Sequence, residues 1–447
     1  MTTVTHPLPR IHWGTVRLAV TAAGLVALTA AGPSLHIKHG SWVLMLIFAA
    51  GGTGILFALP AVDRSDQQDA LIVILVGGVL MRLALLFVEP YLSTDVYRYV
   101  WDGRVQAAGI NPYRYVPAAP EVAHLRDTVI FPSINRPDHA VTIYPPAAQA
   151  IFFAVTRFGE SVVAMKLGLI GFEAVMVGIL LALLHRLGQP LTRIAAYAWH
   201  PLAIWEVAGS GHVDIAMCAL LMAGLLLFLR GRTLLAGAVV ALGALVKPTA
   251  LLALPVFWRP WTVRLPLVVM FTALLAYLPY LSVGSGVFGY LWGYIDEEGL
   301  ASGRGFNALW LMERWTGAVP AAVGFYVAIA TTIMAGLAIA VAFRRDRSPQ
   351  TTIACFNWLL VTFLVLVSPH YPWYFLVLVP LLVIHGSATA WVLTLTCPLL
   401  YASIDGAGWP NYDARIAAFT IATVAALAYD ARKLLRKSPD LGVGEIR

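Results

Sequence analysis

The chain is short of cysteine and of charge. Its three cysteines, Cys218, Cys355 and Cys397, fall inside apolar stretches, where cysteine behaves as a small hydrophobe. They build no disulfide framework and no metal site. Only 12% of the 447 residues are charged, against roughly 25% in an average soluble chain. No glycine-rich loop of the P-loop or Rossmann kind is present, so the sequence carries no nucleotide-binding signature. Nor is there an internal repeat of matched broken helices, the signature of many secondary transporters.

What is there is apolar. Hydrophobic residues make up 60% of the chain and the mean hydropathy is +0.78, more apolar surface than a soluble fold can hide. Windows near the roughly 20 residues that cross a bilayer core run at 15–33, 42–60, 70–89, 161–185, 191–207, 212–229, 265–281, 319–343, 351–367, 372–386, 388–403 and 413–430. The stretch 233–257 is broken by Lys247-Pro248 and reads as a hairpin of two half-helices. The expected fold is an all-α polytopic membrane protein, one membrane domain over 1–447, with about a dozen crossings plus the hairpin. A short basic-leaning tail (His6, Arg10, His12, Arg17) precedes the first window. Because a second span follows at once, a retained anchor is expected rather than a cleaved signal.

Lysine and arginine cluster in alternate short loops: Arg186 and Arg193, Arg230 and Arg232, Arg259 and Arg264, Arg344-Arg345-Asp346-Arg347, and Arg432-Lys433 with Arg436-Lys437. The positive-inside rule makes these loops and both termini cytoplasmic, in a plasma or inner membrane. The net charge of +7 is thus a topology signal, and its scatter over several loops argues against nucleic-acid binding. Loops 90–160, 208–211, 282–318, 368–371 and 404–412 are left for the opposite, extracytoplasmic face.

The longest of these opens with a polar island, Ser93-Thr94-Asp95-Val96-Tyr97-Arg98-Tyr99-Val100-Trp101-Asp102-Gly103-Arg104, and runs through Gly109-Ile110-Asn111-Pro112-Tyr113 to Thr142-Ile143-Tyr144-Pro145-Pro146. Charges this close to a bilayer surface do chemistry or bind something. Residues 96–107 place Tyr97, Trp101 and Val105 on one face of an interfacial helix. Asp95 has two readings that are compatible: a cap for that helix, or a general base that takes a proton from an attacking hydroxyl. Asp102, with Arg104 beside it, reads chiefly as a local ion pair.

Arg82 and Lys247 are cations inside apolar windows. Counted from Ala70 and Thr233, both lie about 20 Å across the bilayer. They either pair with a carboxylate or with helix carbonyls, or meet the phosphate of a lipid carrier. Glu206, His212 and Asp214 are drawn together by the turn Gly209-Ser210-Gly211, a set better suited to hydrogen bonding a sugar or phosphate than to holding a metal. In Ser368-Pro369-His370-Tyr371-Pro372-Trp373-Tyr374 the aromatic residues fit an interfacial belt, and His370 can donate to a phosphate. Tyr294-Ile295-Asp296-Glu297-Glu298 and Arg304-Gly305-Phe306-Asn307 form a second polar outer loop over 282–318, able to close over an acceptor.

The string from Thr94 to Arg104 with Gly109-Ile110-Asn111-Pro112-Tyr113 resembles the first-loop signature of bacterial polyprenol-phosphate-dependent glycosyltransferases of the GT-C superfamily. It is most similar to the alpha-mannosyltransferases of the lipomannan type and the glycosyltransferase 87 group. Tyr144-Pro145-Pro146, Gly211-His212-Val213-Asp214, Lys247-Pro248-Thr249 and the 368–374 block resemble further blocks of these proteins in the same order, so the likeness spans 90–390. The resemblance implies a GT-C fold with a long extracytoplasmic first catalytic loop. It implies inverting transfer of a sugar, mannose first, from a polyprenyl-phosphate donor to a glycan or glycolipid acceptor, with Asp95 as base. Thr94 stands where the family often has a first acid, which leaves Asp95 alone. Substrate contacts are expected from Arg82, Tyr97, Arg98, Asp102, Arg104, Tyr144, Glu206, His212, Asp214, Lys247, His370, Tyr371 and Trp373, with no metal and no cofactor. Transfer of another sugar such as arabinose, and glycolipid flipping, are the alternatives. A flippase has no use for a long fixed outer loop carrying a carboxylate.

Overall fold

The computed structural model describes residues 12–40, 42–62, 65–317, 323–404 and 412–437, and all regular structure among them is helical. The α-helices of ten residues or more are α1 (Trp13–His39), α2 (Trp42–Val62), α3 (Gln67–Leu86), α4 (Asp95–Ala107), α5 (Pro146–Thr156), α6 (Val162–Arg186), α7 (Asp214–Leu229), α8 (Thr233–Ala244), α9 (Arg264–Tyr277), α10 (Asn307–Thr316), α11 (Val323–Phe343), α12 (Pro349–Val367) and α13 (Tyr412–Lys437). Side-chain caps start several of them. Asp66 accepts from the N–H groups of Gln68 and Asp69 at α3, Ser161 from Ala164 at α6, and Ser348 from Thr351 at α12, each satisfying donors that a helix start leaves free.

Eight helices among the described residues are long and apolar enough to cross a membrane: α1, α2, α3, α6, α9 with its continuation to Glu297, α11, α12 and α13. The protein is therefore all-α and polytopic, but its crossings are less regular than a dozen equal spans. The window 191–207 is the clearest departure. It forms short turns over Leu191–Ile194, Ala195–Ala198 and Pro201–Ala203 and a wide π turn over Ile204–Gly209, and most of it is buried. Pro201 ends the helical run because proline has no N–H to give, and His200 accepts from the N–H of Leu202 in its place. The windows 372–386 and 388–403 likewise split into short helices. His6, Arg10 and the expected outer loop at 405–411 lie outside the described residues.

Two features position the site. The first is the hairpin at 233–257. Here α8 stops at Ala244, Lys247 is extended (φ −144°, ψ 132°), and a 3-10 turn runs over Pro248–Ala253. The carbonyl of Leu245 freed by this break accepts from the N–H groups of Ala147 and Ala148 at the start of α5, at 3.0 and 3.2 Å. That interruption is tolerable because a neighbouring helix start satisfies it. The second is α4, which is enclosed by protein on nearly every side rather than presenting one face outward. Val96, Tyr97, Arg98, Tyr99, Val100, Trp101, Asp102, Gly103 and Val105 are all buried. Gly103 makes this possible, since a Cβ there would meet the carbonyl oxygen of Phe152 at 2.5 Å. The long loop 90–160 is thus folded into the protein around α4.

Candidate active site

A cavity of 870 Å³ opens where four segments meet. The loop 90–160 contributes Asp95, Arg98, Asn135, Arg136 and Tyr144; the hairpin tip, Lys247, Pro248, Thr249, Leu251 and Leu252; the loop 282–318, Tyr290, Tyr294 and Glu298; and the later block, Tyr371, Trp373 and Tyr374. Mixed charge on an apolar and aromatic lining is the usual make-up of a small-molecule site.

Asp95 is the first residue of α4. Thr94 occupies the cap position without a side-chain bond, and the Asp95 carboxylate does not cap the helix. Its Oδ1 accepts from Nδ2 of Asn135 at 2.8 Å. Arg136, next in sequence, has φ +53°, a left-handed backbone rare for a side chain of this size and most often kept where it aims a functional group. Burial works against its charge, but Glu297, which accepts from the Arg136 guanidinium, outweighs burial and raises its pKa, with Asp95 adding to the effect.

Lys247, from the hairpin tip, places Nζ 2.8 Å from Oδ1 of buried Asp214 and 4.6 Å from the ring centre of Tyr374. The hydroxyls of Tyr374 and Tyr294 bond to each other, which joins the loop 282–318 to the later block. Behind the wall, His212 stacks on Trp373 with ring centres 4.2 Å apart, and Trp373 on Tyr371 at 4.5 Å. His212 Nε2 lies 3.3 Å from Glu206 Oε2, and Tyr401 donates to the other oxygen of Glu206. Glu206, His212 and Asp214 are thus brought together in a buried layer that backs the cavity without lining it. Among the described residues no group of three or more His, Cys, Asp or Glu is placed to hold a metal ion.

The remaining expected residues serve different ends. Arg98 lines the cavity and pairs with Asp102 at 2.9 Å, while Gln149 donates to the other oxygen of Asp102 at 2.9 Å; the partner of Asp102 is Arg98, not its neighbour Arg104. Arg104 instead ties the loop together through Asp127 at 2.7 Å and Glu160 at 2.8 Å. Burial acts against the charge of Asp127, but the Arg104 bond and the N–H groups of Phe131 and Ile130 hold its pKa down at about 2. Tyr97 donates to Glu89 at 2.9 Å, and burial together with that carboxylate pushes its phenol up to about 12. His370 is not among the lining residues, and burial lowers its pKa.

Arg82 lies apart from the cavity. Its guanidinium meets Glu173 of α6 at 2.8 Å, and Tyr197 donates to the same carboxylate at 2.7 Å. What separates Arg82 from Lys247 and Arg136, which are also paired, is position: Arg82 is not among the residues that line the cavity. Buried Lys166 spends its donors on the carbonyls at the end of α3, Val88 at 2.6 Å and Leu85 at 3.4 Å.

The loops 90–160 and 282–318 are bolted together. Asn111 donates to the Tyr280 carbonyl and the Ser282 hydroxyl, both at 3.0 Å, Tyr280 donates to Gln106 at 2.9 Å, and the N–H of Tyr290 donates to the Thr142 carbonyl at 3.2 Å. Gly289 allows that last contact. Its φ is +57°, and any Cβ would collide with the Thr142 carbonyl oxygen.

The family model described as alpha-(1->6)-mannopyranosyltransferase, N-terminal domain, matches residues 11–263, more than half of the chain. The chain belongs to this family. It is a membrane mannosyltransferase. Alpha-(1->6)-mannopyranosyltransferase A of Mycobacterium tuberculosis is 25% identical over 434 residues, covering 85% of this chain and 79% of that protein. The protein of the same name from Corynebacterium glutamicum is 30% identical over 192 residues, 40% of this chain and 37% of its own. No solved structure matches. The segment shared with the family model holds Asp95, Asn135, Arg136 and Lys247, whereas Tyr294, Tyr371, Trp373 and Tyr374 lie beyond it.

Proposed function

We propose that the mannosyltransferase uses this cavity to move mannose from a polyprenyl-phosphate donor to a glycan or glycolipid acceptor, at the extracytoplasmic face and with inversion. The observation that carries the reading is the meeting of Asp95 with two cations, Lys247 and Arg136, on one cavity wall system. The names of the relatives make an α-(1→6) linkage the first to look for. Supporting the lipid donor, Leu251, Leu252, Phe288 and Leu291 give the cavity an apolar side. Nearby α9 leaves Met270, Phe271 and Leu274 exposed, as a lipid-facing helix does.

In this mechanism Asn135 holds Oδ1 of Asp95, and Oδ2 accepts the proton of the acceptor hydroxyl. The acceptor oxygen attacks the anomeric carbon from the side opposite the phosphate, and the bond from that carbon to the phosphate oxygen breaks. Polyprenyl phosphate leaves with the bonding pair. Lys247 and Arg136 stabilise the negative charge that grows on it, which lowers the barrier because the charge is larger in the transition state than in the bound donor. The leaving group carries its own charge away, so no general acid is needed. Tyr371, stacked on Trp373 through one side of its ring, offers the other side to a sugar.

The test is transfer by purified protein from radiolabelled polyprenyl-phosphate mannose to a mannan acceptor, with and without EDTA. Transfer that survives chelation is expected. A nucleotide mannose that supports transfer alone, with EDTA abolishing it, would overturn the donor and the mechanism together.

A further inference from the structure

The hairpin that presents Lys247 has its two ends in a second cavity, of 530 Å³, lined by Thr233 and Leu234 at one end of the hairpin and by Phe257 and Arg259 at the other. Arg264 and Leu265 at the start of α9 and Pro349 at the start of α12 complete the wall with Arg347. Three arginines therefore face one space, and no carboxylate is among its lining residues.

Among the described residues none of these three arginines forms an ion pair with a carboxylate. Arg347 gives its donors to backbone carbonyls, Trp258 at 3.1 Å and Ala342 at 2.7 Å. Arg344 beside it does the same with Val341 at 2.8 Å and Val256 at 3.0 Å. Burial first, then repulsion from Arg344 and Arg259, lowers the pKa of Arg347; the neighbouring carboxylate of Asp346 acts on Arg344 and is not among the lining residues. Arg259 and Arg264 are exposed. Two helices start at this wall without side-chain caps, α8 and α9, and their free N–H groups add to the positive field.

Most of the rest of the lining is apolar, with Phe228, Leu229, Leu234, Phe257 and Leu265, and Thr233 and Thr262 add two hydroxyls. At the rim Trp261 is 85% exposed and Phe343 53%, their rings edge to face at 5.7 Å, an aromatic pair of the sort that sits at a membrane surface. A small anion would match the arginines and leave the apolar wall uncovered. A phosphate head joined to an acyl chain covers both.

This is not the donor site. α8, α9 and α12 all start at the arginine cavity, and each leads toward the catalytic cavity, which is lined by Val246 just past α8, Tyr277 at the end of α9 and Phe363 near the end of α12. At 1.5 Å per residue that is about 20 Å, most of the thickness of a bilayer core. We propose that the arginine cavity binds the phosphate head and part of one acyl chain of an anionic phospholipid, drawn from the leaflet opposite the catalytic cavity. Basic pockets between membrane helices are suited to such head groups, and the occupant would brace the base of the hairpin whose tip carries Lys247.

Native mass spectrometry of the full chain tests this, with phosphatidylglycerol and phosphatidylcholine of identical acyl chains offered together. Phosphatidylglycerol should be retained over phosphatidylcholine by about tenfold or more. The variant Arg259→Gln/Arg264→Gln should lose that preference while remaining monodisperse, since neither side chain is buried. Arg345→Gln/Arg436→Gln removes the same charge from exposed positions outside the cavity and should keep it. Equal retention of the two lipids by the unaltered protein would overturn the proposal without any variant, as would equal loss in the charge-matched control. Displacement of phosphatidylglycerol by an equal concentration of glycerol 3-phosphate would show that the site reads phosphate alone and takes no lipid.

Discussion

Asn135 donates to Asp95 across forty residues of chain, Nδ2 to Oδ1 at 2.8 Å, and this bond fixes the carboxylate while its second oxygen accepts no hydrogen bond from the described residues. A single amide donor steadies the group without neutralising it. Asp95→Asn removes the base but keeps size and hydrogen-bonding capacity, so turnover should fall by about 10²–10⁴-fold with donor binding and melting temperature nearly unchanged. Asn135→Ala should lower kcat by a smaller factor and leave donor affinity alone. Equal turnover of Asp95→Asn and the unaltered protein would remove the base from the mechanism.

The Lys247–Asp214 pair separates a structural effect from a catalytic one. Lys247→Met strands the carboxylate of Asp214, which is 2% exposed, and breaking a buried pair from one side costs about 3–5 kcal/mol. Adding Asp214→Asn removes the stranded charge, so the double variant should recover most of the lost thermal stability. In the proposed mechanism it should not recover activity, because the cation that would face the leaving phosphate is still missing. Full activity in the stable double variant would make Lys247 a packing residue only.

Gly289 tests whether the loops 90–160 and 282–318 must stay joined. In Gly289→Ala the new Cβ and the Thr142 carbonyl oxygen cannot occupy their present places, and the left-handed backbone costs about 1–2 kcal/mol more for alanine than for glycine. The second loop should detach at Tyr290 while the membrane helices stay intact. Faster amide exchange over 289–298 with an unchanged helical circular dichroism signal is the expected result, together with a raised acceptor KM.

Local signals carried much of this architecture, and long-range pairing carried the rest. The break at Lys247-Pro248 is legible because proline and an intramembrane cation are visible within two positions. Asp95 stands out because polar residues interrupt an apolar run. Glu173, in contrast, sits alone in α6 and gives no hint that it meets Arg82, ninety-one residues earlier. Depth alone leaves Arg82 with two readings, a carboxylate partner or a lipid phosphate, and Glu173 supplies the first. Asn135 and Arg136 lie in a loop without periodicity, and only a backbone conformation that sequence does not reveal aims Arg136. The window 191–207 is apolar enough to span, yet Trp199-His200-Pro201 breaks it. Hydropathy registers burial in protein and burial in lipid alike.

Orientation remains the premise on which donor and leaflet depend, and it can be tested directly. The arginine cavity and the catalytic cavity lie at opposite ends of α8, α9 and α12, so a position near each end suffices. Ser302 and Arg345 are both exposed and belong to the loop 282–318 and to the basic run. With half-buried Cys355 replaced by alanine, Ser302→Cys should react with an impermeant thiol reagent in intact cells, and Arg345→Cys only after the membrane is permeabilised. The positive-inside rule sets this expectation, since Arg259, Arg264, Arg344, Arg345 and Arg347 share one end. The reverse pattern would put the Asp95 cavity in the cytoplasm, where a lipid-linked donor facing outward cannot reach it, and the transfer mechanism would have to be rebuilt around a soluble sugar donor.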